Sequence, residues 1–382
     1  MSEYQYYEFQ AVDRPLTEEV QQGLRRISSR AHITPTGFVN VYNYGDLHAD
    51  PEKLLEKYFD AFCYLTNWGT RQLMFRIPSD LIDGNSIREY CLDDIISLQR
   101  KGEYFILSFD LESEEYEWEE GEGWLSSMIS LREDLIRGDF RCLYLAWLLG
   151  VQQGWVEPDE AEPPVPDGLG ELSGALSTFV RFMRIDPDMV TAAAGCSGAG
   201  GIQSAREQEL VHWIRGMDTT EKDEILRRLL VGHEPHLANR LYQRFLKACA
   251  PKDNESTSQK RRTAGELLEQ AELSAEERKK REAEEHARRK AILKKQQAQE
   301  RKKYLAGLAG KEDEIWRQVN SLISGKRPAD YDRAVQLLLD LKELARSKSE
   351  KTMFQAGLNE LCQEHRRKYS LIKRLNDAGF IP

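Results

Sequence analysis

The sequence predicts a mixed α+β protein: a layered α/β domain at the amino terminus, a helical middle block, a long charged helix and a small helical bundle at the carboxyl end. Three observations carry this reading. In residues 1–156, short runs of alternating apolar and polar residues are interleaved with helical patterns. After residue 170 the pattern is helical only. From Ser274 to Lys303 there is no Gly or Pro, and the only large apolar side chains are Ile292 and Leu293. Such a stretch can be helical but cannot be a buried core.

The first strand lies at Tyr7–Ala11, where Tyr7, Phe9 and Ala11 alternate with Glu8 and Gln10. Asp13-Arg14-Pro15 breaks it. Thr17 stands as an N-cap before Glu18 and Glu19, and Val20, Leu24 and Ile27 then form one helical face. A second strand runs near Phe38–Tyr44. Asp50 and Pro51 open the next helix as cap and first residue, since proline there gives up only an N–H that has no helical partner anyway. Its inward residues read as Leu54, Leu55, Tyr58, Phe59, Phe62 and Leu65, with Gly69 as its end. Leu73, Phe75 and Ile77 alternate in a third strand stopped by Pro78, and Phe105, Leu107, Phe109 and Leu111 in a fourth. Helices follow at about Trp124–Arg137, ended by Gly138, and about Leu143–Val151. This order puts helices on one sheet. It differs from the ferredoxin-like β-α-β-β-α-β order, so no named fold is assigned.

Residues 157–170 contain Pro158, Pro163, Pro164 and Pro166 and read as a linker. In residues 171–250, helices are expected near Leu172–Met183, after Asp186-Pro187, and at about Gln203–Arg215, Thr220–Leu230 and His236–Cys249. A polar linker, 251–260, precedes the charged helix at 261–304. In residues 305–382, Ile315, Val319 and Leu322 give one face and Tyr331, Val335, Leu338 and Leu341 another. Phe354, Leu358 and Leu361, then Leu371, Ile372 and Leu375, complete a small bundle. Tetratricopeptide spacing from Trp316 fails, because its small residue would fall on Asp332.

A length of 382 residues suggests two to three domains at roughly 100–200 residues each. The net charge of −10 is unevenly spread: about −18 up to residue 170, near zero to Lys260, and about +8 beyond. Cys63, Cys91, Cys142, Cys196, Cys249 and Cys362 form no C-x-x-C pair and read as reduced thiols. No leader-like start and no run long enough for a membrane span is read, so a cytoplasmic chain with no membrane partner is expected.

In the charged helix, Glu276–Lys280, Glu277–Arg281, Glu284–Arg288 and Glu285–Arg289 are acid-before-base pairs at i,i+4, each worth about 0.2–0.5 kcal/mol to a lone helix. A heptad through Ala291, Ala298 and Leu305 would put Lys294 and Arg301 in the seam of a coiled coil, which disfavours that alternative. A solvated helix is the preferred reading. Nucleic-acid binding by the basic region is the weaker one, because acids interrupt each basic face and stacking aromatics are missing.

The acidic run Glu112–Glu122 would place Glu115, Glu117 and Glu119 on one strand face, a contact for a basic partner or a solvated edge. It lacks the spaced Asp and Gly of a calcium loop. Gly195–Gly201 fails the P-loop template, having no Lys-Ser/Thr pair, and reads as a flexible connection. His233-Glu234-Pro235-His236 is one residue short of H-E-x-x-H and reads as a turn before a helix. No catalytic set, cofactor or metal is therefore assigned. In the tail, Arg366, Arg367 and Lys368 sit at a helix end, and Lys373 and Arg374 extend the positive patch. Capping and solubility explain it, while the sharper reading is a docking surface for an acidic partner, the Glu112–Glu122 run included.

The stretches Tyr6–Ala11, Asp13–Leu16, Asn67-Trp68-Gly69-Thr70-Arg71, Leu143–Leu148 and Pro163-Pro164-Val165-Pro166 resemble a widespread family of uncharacterised bacterial proteins. That resemblance brings no activity and no functional residues. The tail from Trp316 through Tyr331-Asp332 to Gly379 is similar to tails of some bacterial SWIM zinc-finger proteins, without the C-x-C…C-x-H ligands of that finger. Together these readings predict a non-catalytic cytoplasmic interaction or scaffold protein with a protein partner. The alternatives are a nucleic-acid-associated protein, or an enzyme whose site is assembled from distant residues, with carboxylates of the first domain as acid/base candidates.

Overall fold

The computed structural model describes residues 3–113, 118–198, 202–232, 234, 236–249, 261–325 and 327–381. The chain is a mixed α+β protein and divides into two units, Met1–Arg278 and Lys279–Pro382. Among the described residues, the strands are β1 (Gln5–Gln10), β2 (His32–Thr34), β3 (Gly37–Tyr42), β4 (Ala61–Thr66), β5 (Arg71–Pro78), β6 (Ile96–Lys101) and β7 (Tyr104–Leu111). They form one sheet in the order β2-β3-β1-β4-β5-β7-β6, with every neighbouring pair antiparallel.

The helices of the first unit begin with α1 (Glu18–Ile27), α2 (Pro51–Tyr58), α3 (Gly84–Arg88), α4 (Trp124–Met128), α5 (Ser130–Ile136) and α6 (Arg141–Gln152). They continue with α7 (Gly174–Phe182), α8 (Pro187–Ala194), α9 (Ile202–Gly216), α10 (Thr219–Val231) and α11 (Leu237–Cys249). The long α12 (Ala264–Leu308) starts in the first unit and ends in the second. The second unit continues with α13 (Glu312–Ser324), α14 (Pro328–Ser347), α15 (Lys351–Glu364) and α16 (Tyr369–Asp377).

The caps follow the sequence. Thr17 Oγ1 accepts from the Val20 N–H, Asp50 from those of Glu52 and Lys53 ahead of Pro51, and Asp186 from that of Asp188. One expectation is corrected. The helix opened by Asp50 stops at Tyr58, and the residues read as its continuation, Phe62 and Leu65, belong to strand β4. This strand is central, so both its faces are buried: Ala61, Cys63 and Leu65 join one core, and Phe62 the other. A run buried on both sides loses its period of two and cannot be told from a buried helix by periodicity. The short β2 and β6 also escaped the sequence reading, and the single helix expected from Trp124 is two, divided at Ile129.

The sheet divides the apolar residues of the first unit between two cores. On one face Cys63, Leu73, Phe75, Leu107 and Phe109 meet α4 to α8, with α6 buried along its whole length from Cys142 to Val151. On the other, Phe9, Phe38 and Phe62 meet Leu24 of α1 and Leu54, Leu55 and Phe59 at α2, with Phe9 and Phe62 ring centroids 4.4 Å apart. The second unit packs α13 to α16 around Val319, Ala334, Leu338, Leu358, Leu371 and Leu375.

Candidate functional site

Two groups of buried charges stand out, and both are saturated. Asp60, just before β4, accepts from the Val12 and Asp13 N–H groups through Oδ2 (2.7 and 2.9 Å). Its Oδ1 accepts from Arg76 of β5, at 2.6 Å from Nη2 and 3.3 Å from Nε. The Arg76 guanidinium also donates to the Glu56 carbonyl and lies 4.5 Å from the Tyr104 ring centroid. Beside them Arg132 of α5 grips Asp13 with both terminal nitrogens (2.9 and 2.7 Å) and donates from Nε to the Arg76 carbonyl. His236 Nε2 closes the network 3.0 Å from Asp13 Oδ2. Burial pushes the Asp13 carboxyl up, but His236 and Arg132 outweigh it and hold it well below the usual carboxylate range.

The second group sits at the foot of α12. The buried Glu162 accepts Tyr144 OH at 2.8 Å and takes Arg262 in a fork, with Nε and Nη2 each 3.0 Å from its oxygens. Burial, then the Glu162 charge, pushes the Tyr144 phenol well up, so it stays a donor. The backbone is stitched in parallel: Ala161 bridges Thr263, and Ala264 and Gly265 donate to the Glu160 and Pro158 carbonyls. Thr263 and Glu266 form a reciprocal capping box. One helical stretch on, Arg278 forks onto the buried Asp188. The proline-rich stretch 157–170 thus has no helix, yet it is packed as the seat of α12.

These arrangements do not look like an acid/base site. Each carboxylate already accepts from arginine, which holds it ionised, and neither group borders a cleft. The candidate grooves lie along single helices, one beside Gln297, Glu300, Arg301 and Tyr304 of α12, the other beside Glu18, Gln21, Gln22 and Arg25 of α1. Among the described residues no group of three or more His, Cys, Asp or Glu could hold a metal ion. The sheet also carries a polar cross-strand pair, Gln72 and Asp110, in which Asp110 accepts from Gln72 and Ser108 at 2.6 Å each. Burial raises its carboxyl above the ordinary range.

The residues singled out in the sequence are dispersed. Glu115 and Glu117 lie outside the described residues. Glu119 accepts from the buried Arg71 at 2.6 Å, and nearby Trp118 stacks on Tyr4, so this half of the acidic run is tied to the sheet. Residues 195–198 of the glycine-rich stretch are pinned as well: Ser197 Oγ accepts from Leu169 N–H and donates to the Pro166 carbonyl. Of the tail cations, Lys368 donates to the Ile323 carbonyl and Arg374 pairs with Asp332 at 2.6 Å. Arg366, Arg367 and Lys373 are exposed, around Tyr369, itself 81% exposed. Within the second unit, the far end of α12 is not solvated. Leu305 is buried, and Arg301 and Tyr304 reach the buried Asp340 of α14.

A different surface was missed. Helix α11 docks on α5, with Asn239 donating to Glu133, while α9 meets α11 through Trp213 against Phe245. Helix α10 is held by charge pairs at its two ends, Glu221–Arg244 and Arg228–Glu234. Not one of its 13 residues is buried. Leu226 is 57% exposed and Leu230 88%, with Leu229, Val231 and, on α9, Val211 and Ile214 exposed too. The legible signal was the run Ile225-Leu226 and Leu229-Leu230-Val231 in a helix otherwise charged. Among the described residues, no helix is long and apolar enough to cross a membrane. No family model matches the chain, and no curated protein or solved structure matches it either.

Proposed function

We propose that this chain is a non-catalytic cytoplasmic interaction protein whose contact surface is α10. The observation that carries the reading is a 13-residue helix with no buried residue and four exposed large apolar side chains, Leu226, Leu229, Leu230 and Val231. A helix of that length is marginal in water on its own propensity, and grouped exposed apolar side chains mark contact surfaces. The arginine-bound buried carboxylates support the non-catalytic part of this reading. Free thiols, with no disulfide among the six cysteines, support placing it in the cytoplasm. A photo-crosslinking residue at Leu230 is expected to give a discrete polypeptide adduct in the native cell, and the same residue at the exposed Lys290 of α12 none. No adduct at Leu230, or equal adducts at both, overturns the reading.

A second reading has its own observation. Arg366, Arg367 and Lys373 surround an exposed aromatic ring, a combination that suits an anionic partner, nucleic acid included. Reversing these three to Glu is expected to change the stability of the bundle by no more than about 0.5 kcal/mol, since all three are exposed. It should also abolish retention of the full chain on heparin at low salt, an attraction screened over about 8–10 Å near physiological ionic strength. Unchanged retention leaves the tail as packing alone.

A further inference from the structure

The charge order along α10 identifies what covers it. The helix begins with Glu221, Asp223 and Glu224 and ends with Arg227 and Arg228, and its centre reads Asp223-Glu224-Ile225-Leu226-Arg227-Arg228. That segment is two acids, two apolar residues and two bases, symmetric in position and opposite in sign about the Ile225–Leu226 bond. We propose that α10 pairs antiparallel with α10 of a second copy of this chain, across a two-fold axis at that bond. The proposal rests on the contact-surface reading above and names the partner.

A two-fold contact brings each residue of one helix against its symmetry counterpart on the other. About an axis between Ile225 and Leu226, Glu224 faces Arg227 of the second copy and Asp223 faces Arg228, each pair made twice. A parallel pairing would set acid on acid and base on base. A uniformly acidic or uniformly basic partner would match only half of the helix. Antiparallel helices also set opposite ends of their macrodipoles side by side. Leu226, Leu229 and Leu230 stand at i, i+3 and i+4 and so share one helical face, which gives the pair its apolar seam.

The charges needed are at hand. The Glu224–Arg227 pair is exposed on both sides, at 52% and 64%, so its members can exchange partners between copies without any rearrangement of the core. Helix α10 is short, about 20 Å at 1.5 Å per residue, so the contact falls at or below the roughly 1,200–2,000 Å² of standard interfaces. A reversible dimer of micromolar affinity is the consequence.

The test uses the full chain in sedimentation equilibrium from about 1 to 200 µM, a range that brackets micromolar dissociation. Wild type should show a reversible monomer–dimer equilibrium. Glu224→Arg places four bases on the seam flank and Arg227→Glu four acids, so each variant alone should dimerise at least tenfold more weakly. Mixed in equal amounts, the two variants should recover a heterodimer at least as tight as wild type, because each Arg then faces a Glu. Recovery on mixing also shows that both variants are folded. Leu226→Gln with Leu230→Gln, both at exposed positions, should abolish the dimer in wild-type and mixed backgrounds. A wild-type chain monomeric throughout, single charge variants that dimerise unchanged, or a mixture that does not recover would each overturn the proposal. If Leu230 nevertheless crosslinks to another polypeptide in the cell, the contact-surface reading stands and only the second copy is wrong as its occupant.

Discussion

Replacing Asp60 with alanine is expected to destabilise the sheet unit by about 3–5 kcal/mol, the usual consequence of removing one member of a buried ion pair. Arg76 and Asp60 have side-chain exposures of only 2% and 1%. Without the carboxylate, the Arg76 guanidinium keeps the Glu56 carbonyl and the Tyr104 ring but has no counter-charge at hydrogen-bond distance. The N–H groups of Val12 and Asp13 lose their acceptor at the same time. Native-state hydrogen exchange of β4 and β5 amides reads this loss directly, since those strands open only with the unit. Asp60→Ala with Arg76→Met should recover part of it, because an apolar pair leaves no charge unmatched. A loss below about 1 kcal/mol for Asp60→Ala would mean that water or a rotamer change solvates Arg76, and that the network is not a keystone.

The same network sets an acid limit. The folded-state carboxyl of Asp13 titrates below its unfolded value. A group depressed in this way contributes stability that is present above its unfolded pKa, near 3.9, and lost as pH falls through the folded one. Stability against urea should therefore hold down to about pH 5 and fall below about pH 4, and Asp13→Asn should flatten that fall while starting from a less stable protein.

How much of this was legible in the sequence follows from what periodicity records. Surface helices and half-buried strands carry their period openly, and the caps at Thr17, Asp50 and Asp186 carry a local mechanism, so those elements could be placed. Strand β4 is buried on both faces and has no period. The buried charges are a different case. Arg71 and Arg76 stand inside an otherwise apolar strand, which signals a buried partner without saying which. Asp60, Asp13 and Arg132 are brought to Arg76 by the sheet pairing and by α5, over separations that no local pattern records. The box at Thr263–Glu266 was local and readable, and marks the true start of α12. The exposed face of α10 was written in the sequence too, but a Leu-rich helix reads as packed until its neighbours are known.

That start of α12 gives the second large effect. Glu162→Ala is expected to weaken the attachment of the first turns of α12 by about 2–4 kcal/mol. The mutation removes both oxygens that hold Arg262 and the acceptor of Tyr144 OH. Arg262 keeps the Ala192 carbonyl and Gln270 at 2.9 and 2.8 Å, which places the expected loss below that of Asp60→Ala. Tyr144 is buried within α6 and has no other acceptor as close, so its hydroxyl bears the rest of the loss. Hydrogen exchange should accelerate in the amides of Ala264, Gly265 and Leu267, which belong to the stitch and the first turn, and leave β4 and β5 nearly unchanged. Asp188→Ala, which frees Arg278 further along the same helix, should add to the effect if the two clasps act independently. Glu284→Ala, in the exposed stretch, should change exchange in the first turns by less than a factor of about two, as a surface substitution within ±0.5 kcal/mol does. Equal exchange in wild type and Glu162→Ala would show that the backbone stitch and the capping box hold the helix alone, and that the buried fork is dispensable.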